Sequence, residues 1–230
     1  MTSKSLSHSM NLGTILTFLK SLAKNNNRDW FEKNKLKYLE AKLAFEDFLE
    51  SLHSGLLKFD ESLAGLNPRK LGFRIYRDVR FSKDKKPYKL NMGAGFSSKG
   101  KMEQEPGFYV HIQPNNQSFV AGGFYMPDAE KLAKIRQEID YNPESFKRVL
   151  ADKKFRRIFP KGLDDFDSLK KAPKGYPKDH PNVDWLKHKS FIVSHYFSDK
   201  EVVDKKFVKK LGEICKTLKP LNDFLNAAIS

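Results

Sequence analysis

Apolar residues recur at helical spacing at both ends of the chain. Near the N-terminus this pattern predicts a first helix from Thr14, its N-cap, to Lys24, and a long second helix capped by Asn27. Toward the C-terminus, Ser198 is expected to cap a further helix, and Pro220 to separate it from a last short one. The apolar stripe of the second helix is largely aromatic and is more typical of a buried face than of a ligand groove; it comprises Trp30, Phe31, Tyr38, Ala41, Phe45, Phe48, Leu52 and Leu56.

In the middle of the chain the pattern changes to an alternation of apolar and polar residues, which predicts strands with one buried face. The predicted strands span residues 73–76, 88–97, 108–113, 118–125 and 191–197. Short connections between the first four are typical of an antiparallel meander. Two helices are expected before the fifth strand, one from Asp128 to about Tyr141 and one from Pro143 to about Leu150.

This order of elements predicts a single α+β domain, in which helices from both terminal segments pack on a mainly antiparallel central sheet. The domain is expected to span residues 14–230, after a flexible N-terminus at residues 1–13. A long basic surface loop is expected at residues 161–181, because this stretch contains three prolines, two glycines and a majority of polar residues. Loops of this length often carry function.

The chain is basic, and its charge is concentrated in two segments. Of its 230 residues, 43 are Lys or Arg and 28 are Asp or Glu, which gives a formal net charge of +15. Residues 66–91 contain nine basic and two acidic residues, and residues 153–189 contain eleven and five. Charge in two blocks predicts a positive surface if folding brings the blocks together.

Several functional classes are disfavoured by what the sequence lacks. No run of about 18 uncharged apolar residues is present, so no membrane partner is expected. Met1–Met10 lack the apolar core of a signal peptide, so the expected location is cytoplasmic. The only cysteine, Cys215, lies on the apolar face of its helix and is expected to be buried. The phosphate-loop, dinucleotide, zinc-protease and serine-hydrolase motifs are absent, and the six histidines lack ligand spacing, so neither a cofactor nor a metal is expected.

Basic residues interleave with aromatic and aliphatic ones along residues 68–89, which is the most unusual segment of the chain. Charged side chains inside an alternating strand pattern need either partners or a ligand. If the predicted strands are neighbours, their polar faces combine into a patch of hydrogen-bond donors formed by Arg74, Lys89, Asn91, Tyr109 and His111. Arg77 and Arg80 are further candidate anion contacts, because a guanidinium group pairs with phosphate or carboxylate oxygens at two points. Tyr76 and Tyr109 are expected to donate hydrogen bonds or to stack on the ligand.

Two residues are candidates for acid or base chemistry, and each also has a simpler interpretation. Asp78 lies between two arginines, so it either forms a local ion pair that holds a turn, or orients an arginine, or acts as a general base. His180 has prolines on both sides, so it is a fixed acid or base, a pH-sensitive contact to an anion, or a loop histidine bonded to backbone or water. In the same loop, Lys174 is expected to cover the bound anion.

Several stretches of the chain are recognisable. The longest is FRIYRDVRFSKDKKPYK at residues 73–89. Shorter ones are NNRDWF at 26–31, GGFYMP at 122–127, APKGY at 172–176, DHP at 179–181 and PLNDFL at 220–225. Together they resemble the signatures of domain-of-unknown-function family 2461, from about Thr14 to Ala228. The resemblance implies a single-domain protein with no assigned reaction, so no catalytic residue is carried over from the family.

The sequence therefore predicts a basic cleft between the polar face of the sheet and the loop at residues 169–181. We expect this cleft to bind a phosphate-bearing or other anionic small molecule, with no reaction specified. Two alternatives remain. A nucleic-acid-binding module would use the same charge along a flat surface, with Tyr76, Phe81 and Tyr88 for stacking. A structural or partner-binding protein would use the basic segment for internal ion pairs and to dock an acidic protein.

Overall fold

Four antiparallel strands form the central sheet, in the order β1, β2, β3, β4. The computed structural model in which they are seen describes residues 11–102 and 104–230. The strands are β1 (Met92–Phe96), β2 (Gly107–Ile112), β3 (Ser118–Phe124) and β4 (Phe191–Phe197). Three consecutive strands thus form a meander, and the last predicted strand joins the sheet beside β3.

Helices from both terminal segments cover one face of this sheet. The helices are α1 (Leu12–Lys24), α2 (Arg28–Lys33), α3 (Lys35–Leu56), α4 (Ala129–Tyr141), α5 (Pro143–Ala151), α6 (Lys153–Ile158), α7 (Val183–Leu186), α8 (Asp199–Val202) and α9 (Phe207–Ile229). Helix α3 packs between α1 and α9, and α9 lies on β3. Gly122 permits this approach, because the side chain of Leu218 lies 2.8 Å from where a Cβ on Gly122 would stand. The predicted α+β architecture is confirmed, and no helix in the described part of the chain is long and apolar enough to span a bilayer.

The alternation of side chains along the strands gives the sheet two different faces. Phe96, Val110, Val120 and Val193 lie on the face toward the helices and are buried in the main core. On the opposite face β1 contributes only glycines, and loop residues such as Met102 approach the strands directly. The candidate site lies on this second face.

The first helix begins earlier than predicted. The side chain of Asn11 accepts a hydrogen bond from the backbone N–H of Gly13 at 3.0 Å, so Asn11 is the N-cap and the assignment of that role to Thr14 is wrong. Leu12 is buried, and its burial favours the extra helical residues. Of the predicted flexible N-terminus at residues 1–13, residues 1–10 lie outside the described residues, whereas Leu12 and Gly13 belong to α1.

The long second helix is two helices that meet at Asn34. Asn27 caps the first of them as predicted, since its side chain accepts the backbone N–H of Trp30 at 2.9 Å. The side chain of Asn34 then donates to the carbonyl of Trp30 at 2.9 Å. Side-chain bonds of this kind compete with the helical ladder, which explains the interruption between α2 and α3.

At the C-terminal end, Ser198 caps a helix as predicted but the helix is short. Its side chain and that of Glu201 form a reciprocal capping box on α8, which ends at Val202. The following helix, α9, runs through Pro220, so the predicted break at that proline is wrong. Proline removes one backbone hydrogen bond, and the burial of Leu218 and Leu221 on either side offsets this loss. Cys215 is fully buried in the same helix, as predicted, and burial raises the pKa of its thiol.

The segment predicted as the strand 73–76 forms only isolated bridges beside β1. The backbone N–H of Phe73 donates to Gly93 at 2.8 Å, that of Lys89 to Ile75 at 2.7 Å, and that of Arg77 to Pro87 at 2.9 Å. Pro87 has no N–H to return, so a regular ladder cannot form there. The prediction of a strand is therefore wrong, but the segment does run antiparallel to residues 87–94.

Candidate functional site

A cavity of about 490 Å³ opens on the face of the sheet that carries no core side chains. Its floor is formed by β2, β3 and β4, and its walls by the segments that flank β1 and β3. The lining consists of Phe73, Lys89, Asn91, Met102, Tyr109, His111, Phe119, Ala121, Gly122, Tyr125 and Ile192. Most of this surface is apolar, and the size falls within the range typical of small-molecule sites.

Two glycines of β1 determine the shape of the cavity. A Cβ on Gly93 would lie 2.5 Å from the hydroxyl oxygen of Tyr109, and a Cβ on Gly95 would lie 3.0 Å from the Cβ of Met102. Neither side chain could occupy its place if β1 carried ordinary residues on this face. The Met-Gly-Ala-Gly-Phe sequence of β1 thus gives one face to the core and lets Tyr109 and Met102 lie against the other.

A chain of hydrogen bonds runs along β2 at the base of the cavity. His111 bonds to the hydroxyl of Tyr109 through Nδ1 at 3.0 Å and to Oε1 of Gln113 through Nε2 at 2.8 Å. Because Oε1 can only accept, Nε2 carries the proton and Nδ1 accepts from Tyr109. The imidazole also stacks on Phe119, with ring centroids 4.5 Å apart.

Tyr109 and His111 are both uncharged at neutral pH. Burial raises the pKa of Tyr109 to about 12. Burial also lowers the pKa of His111, and the hydrogen bond to Gln113 only partly opposes it. The hydroxyl of Tyr109 donates its hydrogen bond to His111, so the lone pairs of its oxygen can accept a hydrogen bond from a ligand.

Lys89 brings the only positive charge into the described lining of the cavity, and no carboxylate accompanies it there. Its ammonium group lies 5.8 Å from the centre of the Phe73 ring. Among the residues that the structure describes, no side chain or carbonyl hydrogen-bonds to it or pairs with it. Burial, together with the nearby positive charge of Arg74, lowers the pKa of Lys89.

A second cavity, of about 290 Å³, lies on the other side of Phe73 and is also lined by Arg74, Tyr76 and Lys101. The ammonium group of Lys101 lies 5.9 Å from the centre of the Phe73 ring. Within residues 11–102 and 104–230, neither Arg74 nor Lys101 has an ion-pair partner. Lys89 and Lys101 thus lie at one aromatic ring, and Arg74 lines the same cavity as Lys101; we call these three residues the cation cluster.

Arg77 and Arg80, the other two arginines expected to contact the anion, already pair with nearby groups. Arg77 bonds to Asp84 at 2.8 Å and to the carbonyl of Lys86 at 3.1 Å. Arg80 is exposed and bonds to Asp78 at 2.6 Å. The side chain and backbone N–H of Arg80, with a smaller contribution from the charge of Arg74, lower the pKa of Asp78. These contacts correspond to the simpler interpretation of Asp78 as a local ion pair.

His180 and Lys174 lie away from both cavities. Nδ1 of His180 accepts the backbone N–H of Asn182 at 3.1 Å, so Nε2 carries the proton and donates to Asp140 of α4 at 2.9 Å. This contact holds the basic part of the loop against α4. Lys174 is exposed in the same part of the loop.

The expectation that residues 169–181 form the second wall of the cleft is therefore not met. An earlier part of the loop lies closer: the backbone N–H of Asp164 donates to Ile192 at 2.8 Å, and Phe166 stacks on Tyr125 at 5.9 Å. The structure thus brings together Lys89, Asn91, Tyr109 and His111, places Arg74 and Tyr76 in the adjoining cavity, and leaves Asp78, Arg80, Lys174 and His180 outside both.

Several lining residues were not singled out from the sequence. Phe119 and Ile192 alternate with buried residues of β3 and β4, so the strand pattern could have placed them on this face. Lys101 and Met102 lie in a polar loop, and nothing in the local pattern points to them. In the described part of the chain, no group of three or more His, Cys, Asp or Glu side chains is placed to hold a metal ion.

A family model described as a conserved hypothetical protein (DUF2461) matches residues 14–224, which confirms the resemblance seen in the sequence. No curated protein and no solved structure matches the chain.

Proposed function

The chain belongs to the family of conserved hypothetical proteins DUF2461, whose description names no reaction, and we propose from the cavity itself that the protein binds a small organic anion. The ligand would carry a phosphate or another acidic group at one end and an apolar or aromatic body at the other. The observation that supports this proposal is the uncompensated charge of Lys89 in a cavity whose described lining contains no carboxylate.

An unpaired ammonium group in a largely apolar cavity is unfavourable unless a counter-charge arrives with the ligand. The cation cluster supplies two further positive charges at the same end, from Arg74 and Lys101. At the other end, Phe119, Ile192 and Tyr109 offer an apolar floor that a ring or acyl chain can cover. The geometry therefore favours a ligand with its charge beside Phe73 and its body on the sheet.

Anilinonaphthalene sulfonate is a suitable first probe, because it has an aromatic body and one anionic group and fluoresces in apolar sites. We expect a saturable titration of the wild type with one site. Lys89→Met should weaken binding at least about tenfold, which corresponds to about 1.4 kcal/mol, because the charge-assisted contact is lost while the side-chain length is kept. Lys174→Met is the matched control and should bind like the wild type.

Equal affinity of Lys89→Met and the wild type would refute the proposal, as would an equal loss in both methionine variants. Because this probe also binds partly unfolded chains, each variant is first melted by circular dichroism to show that it is folded. A phosphomonoester and the corresponding alcohol, added as competitors, then test the anionic requirement, since only the phosphomonoester should displace the probe.

One observation favours the nucleic-acid interpretation: the ring of Phe81 is 95% exposed and lies beside Arg80. However, Arg77 and Arg80 already pair with Asp84 and Asp78, which reduces the charge available for phosphates. A single-stranded oligonucleotide added to the same titration separates the two interpretations. Displacement of the probe that weakens steeply with salt would favour nucleic acid.

A further inference from the structure

Two features meet at Lys89: none of the described groups pairs with its amine, and the residue lines a cavity. Several other lysines are held in ion pairs, as Lys99 is with Glu105 at 2.5 Å, Lys187 with Asp184 at 2.9 Å, and Lys210 with Glu201 at 2.7 Å. Lys89 instead borders a cavity large enough for a small organic molecule.

The charged groups around Lys89 are mostly positive. Lys101 shares the Phe73 ring with it, and Arg74 lines the adjoining cavity, where the carboxylate of Glu46 is paired with Lys42 and Arg69. On its other side the paired Arg77 and Asp84 line a shallow pocket together with Lys86. The groups that face it from the sheet, Tyr109 and His111, are uncharged at neutral pH. Burial and the charge of Arg74 lower the pKa of Lys89, so the fraction of neutral amine is larger than for a solvated lysine.

We propose that Lys89 forms an imine with an organic anion that carries an aldehyde or ketone group, with Arg74 and Lys101 holding the anionic group. This inference rests on the proposed function, and it narrows the ligand class to anions that contain a carbonyl group. The cavity offers no second nucleophile of comparable strength in its described lining, since the phenol of Tyr109 stays protonated and donates a hydrogen bond to His111.

The chemistry balances without a redox partner. The neutral amine adds to the carbonyl carbon, and a proton moves from nitrogen to the former carbonyl oxygen to give a carbinolamine. Loss of this hydroxyl group, with one added proton, releases water and leaves a protonated imine. Asn91 and the oxygen of Tyr109 line the same cavity and can accept a hydrogen bond from the carbinolamine hydroxyl.

Pyridoxal 5′-phosphate is the probe that fits this hypothesis, because it combines a ring, an aldehyde and a phosphate. The full-length protein is mixed with an equimolar amount at neutral pH and reduced with borohydride, which delivers hydride to the imine carbon and fixes the label as a secondary amine. Digestion and mass spectrometry then locate the label. We expect Lys89 to carry the majority of it, ahead of every other lysine.

Three variants test the roles of charge and nucleophilicity. Lys89→Arg keeps the positive charge and should retain binding of anilinonaphthalene sulfonate, but it should lose most of the covalent label. Lys174→Arg is the matched control, since Lys174 is exposed and lines neither cavity, and it should keep the label at Lys89. Arg74→Gln removes the neighbouring cation, so the pH at which labelling of Lys89 reaches half its maximum should rise.

The possible outcomes are distinct. A label spread evenly over the surface lysines, in a protein that still binds the sulfonate through Lys89, would overturn the imine proposal and leave the proposed function standing. Selective labelling of Lys89 in a protein that does not bind the sulfonate would still support the imine proposal, because the label is itself an organic anion. Labelling of Lys89 that is unaffected by Arg74→Gln at any pH would remove the role given to Arg74.

Discussion

Replacing Gly93 with alanine tests the idea that a bare strand face creates the cavity. The added Cβ would lie 2.5 Å from the hydroxyl oxygen and 3.0 Å from Cζ of Tyr109, so the phenol ring must move. Overpacking of this kind costs about 1–3 kcal/mol. If the movement also breaks the bond from Tyr109 to His111, about 1 kcal/mol is added. We therefore expect Gly93→Ala to lower the free energy of unfolding by about 2–4 kcal/mol in urea denaturation.

The double variant Gly93→Ala with Tyr109→Phe gives the sharper measurement. Removal of the hydroxyl removes the atom in the worst contact, so the double variant should be more stable than the sum of the two single effects predicts. Gly212→Ala, in α9, is the matched control: no atom lies within 4 Å of its added Cβ, and alanine should stabilise the helix by about 1 kcal/mol. Wild-type stability of Gly93→Ala, or strict additivity in the double variant, would refute the packing argument.

Three further changes probe contacts outside the cavity. His180→Gln should speed limited proteolysis within residues 161–181, because the bond to Asp140 holds that loop on α4. The affinity for the sulfonate should stay unchanged, and weaker binding of the sulfonate would contradict the separation of this loop from the cavity. Hydrogen bonds from Lys210 and Ser198 lower the pKa of Glu201 from the ordinary 4.5 to about 2. The contribution of this carboxylate to stability is therefore fully present above pH 4.5 and is lost as the pH falls toward 2. Urea midpoints should therefore drop more steeply over this range for the wild type than for Glu201→Gln, and parallel curves would disprove the linkage. Gly123→Ala should abolish soluble expression, since the residue has a φ of +114° and its Cβ would overlap the carbonyl oxygen of Phe191; a soluble, cooperatively folded variant would show that the backbone can relax there.

The elements that the sequence predicted well are those whose signals are local. The stripe of α3 and the alternation in β2 reflect periodicities that hold within a single element, and Asn27 and Ser198 act as caps as expected. The positions at which helices are interrupted were harder to predict, because tertiary packing can offset a local signal that would otherwise end a helix. Asn34 interrupts a helix through one side-chain bond, whereas Pro220 does not, since its neighbours are buried.

The same distinction between local signals and tertiary contacts applies to the residues of the candidate site. Lys89, Tyr109 and His111 share a cavity because strand parity, which is visible in the sequence, and strand adjacency, which the sequence analysis only assumed, place them on one face. The expected participation of His180 depended on where a long loop would fold back, and no local signal determines that. The loop is directed instead by a bond to Asp140, 40 residues earlier in the chain.

The pairing of residues 72–77 with 87–94 explains why positive charge gathers at Phe73. The bridges Gly72 with Ala94 and Tyr76 with Tyr88 fix the two segments antiparallel, so Lys89 and Arg74 come from opposite segments and lie close enough for the charge of Arg74 to lower the pKa of Lys89. Phe73 lines both cavities and is partly exposed. The antiparallel course of the two segments persists although Pro87 has no N–H to complete a regular ladder, and it brings Arg74 and Lys89 together beside the cavity.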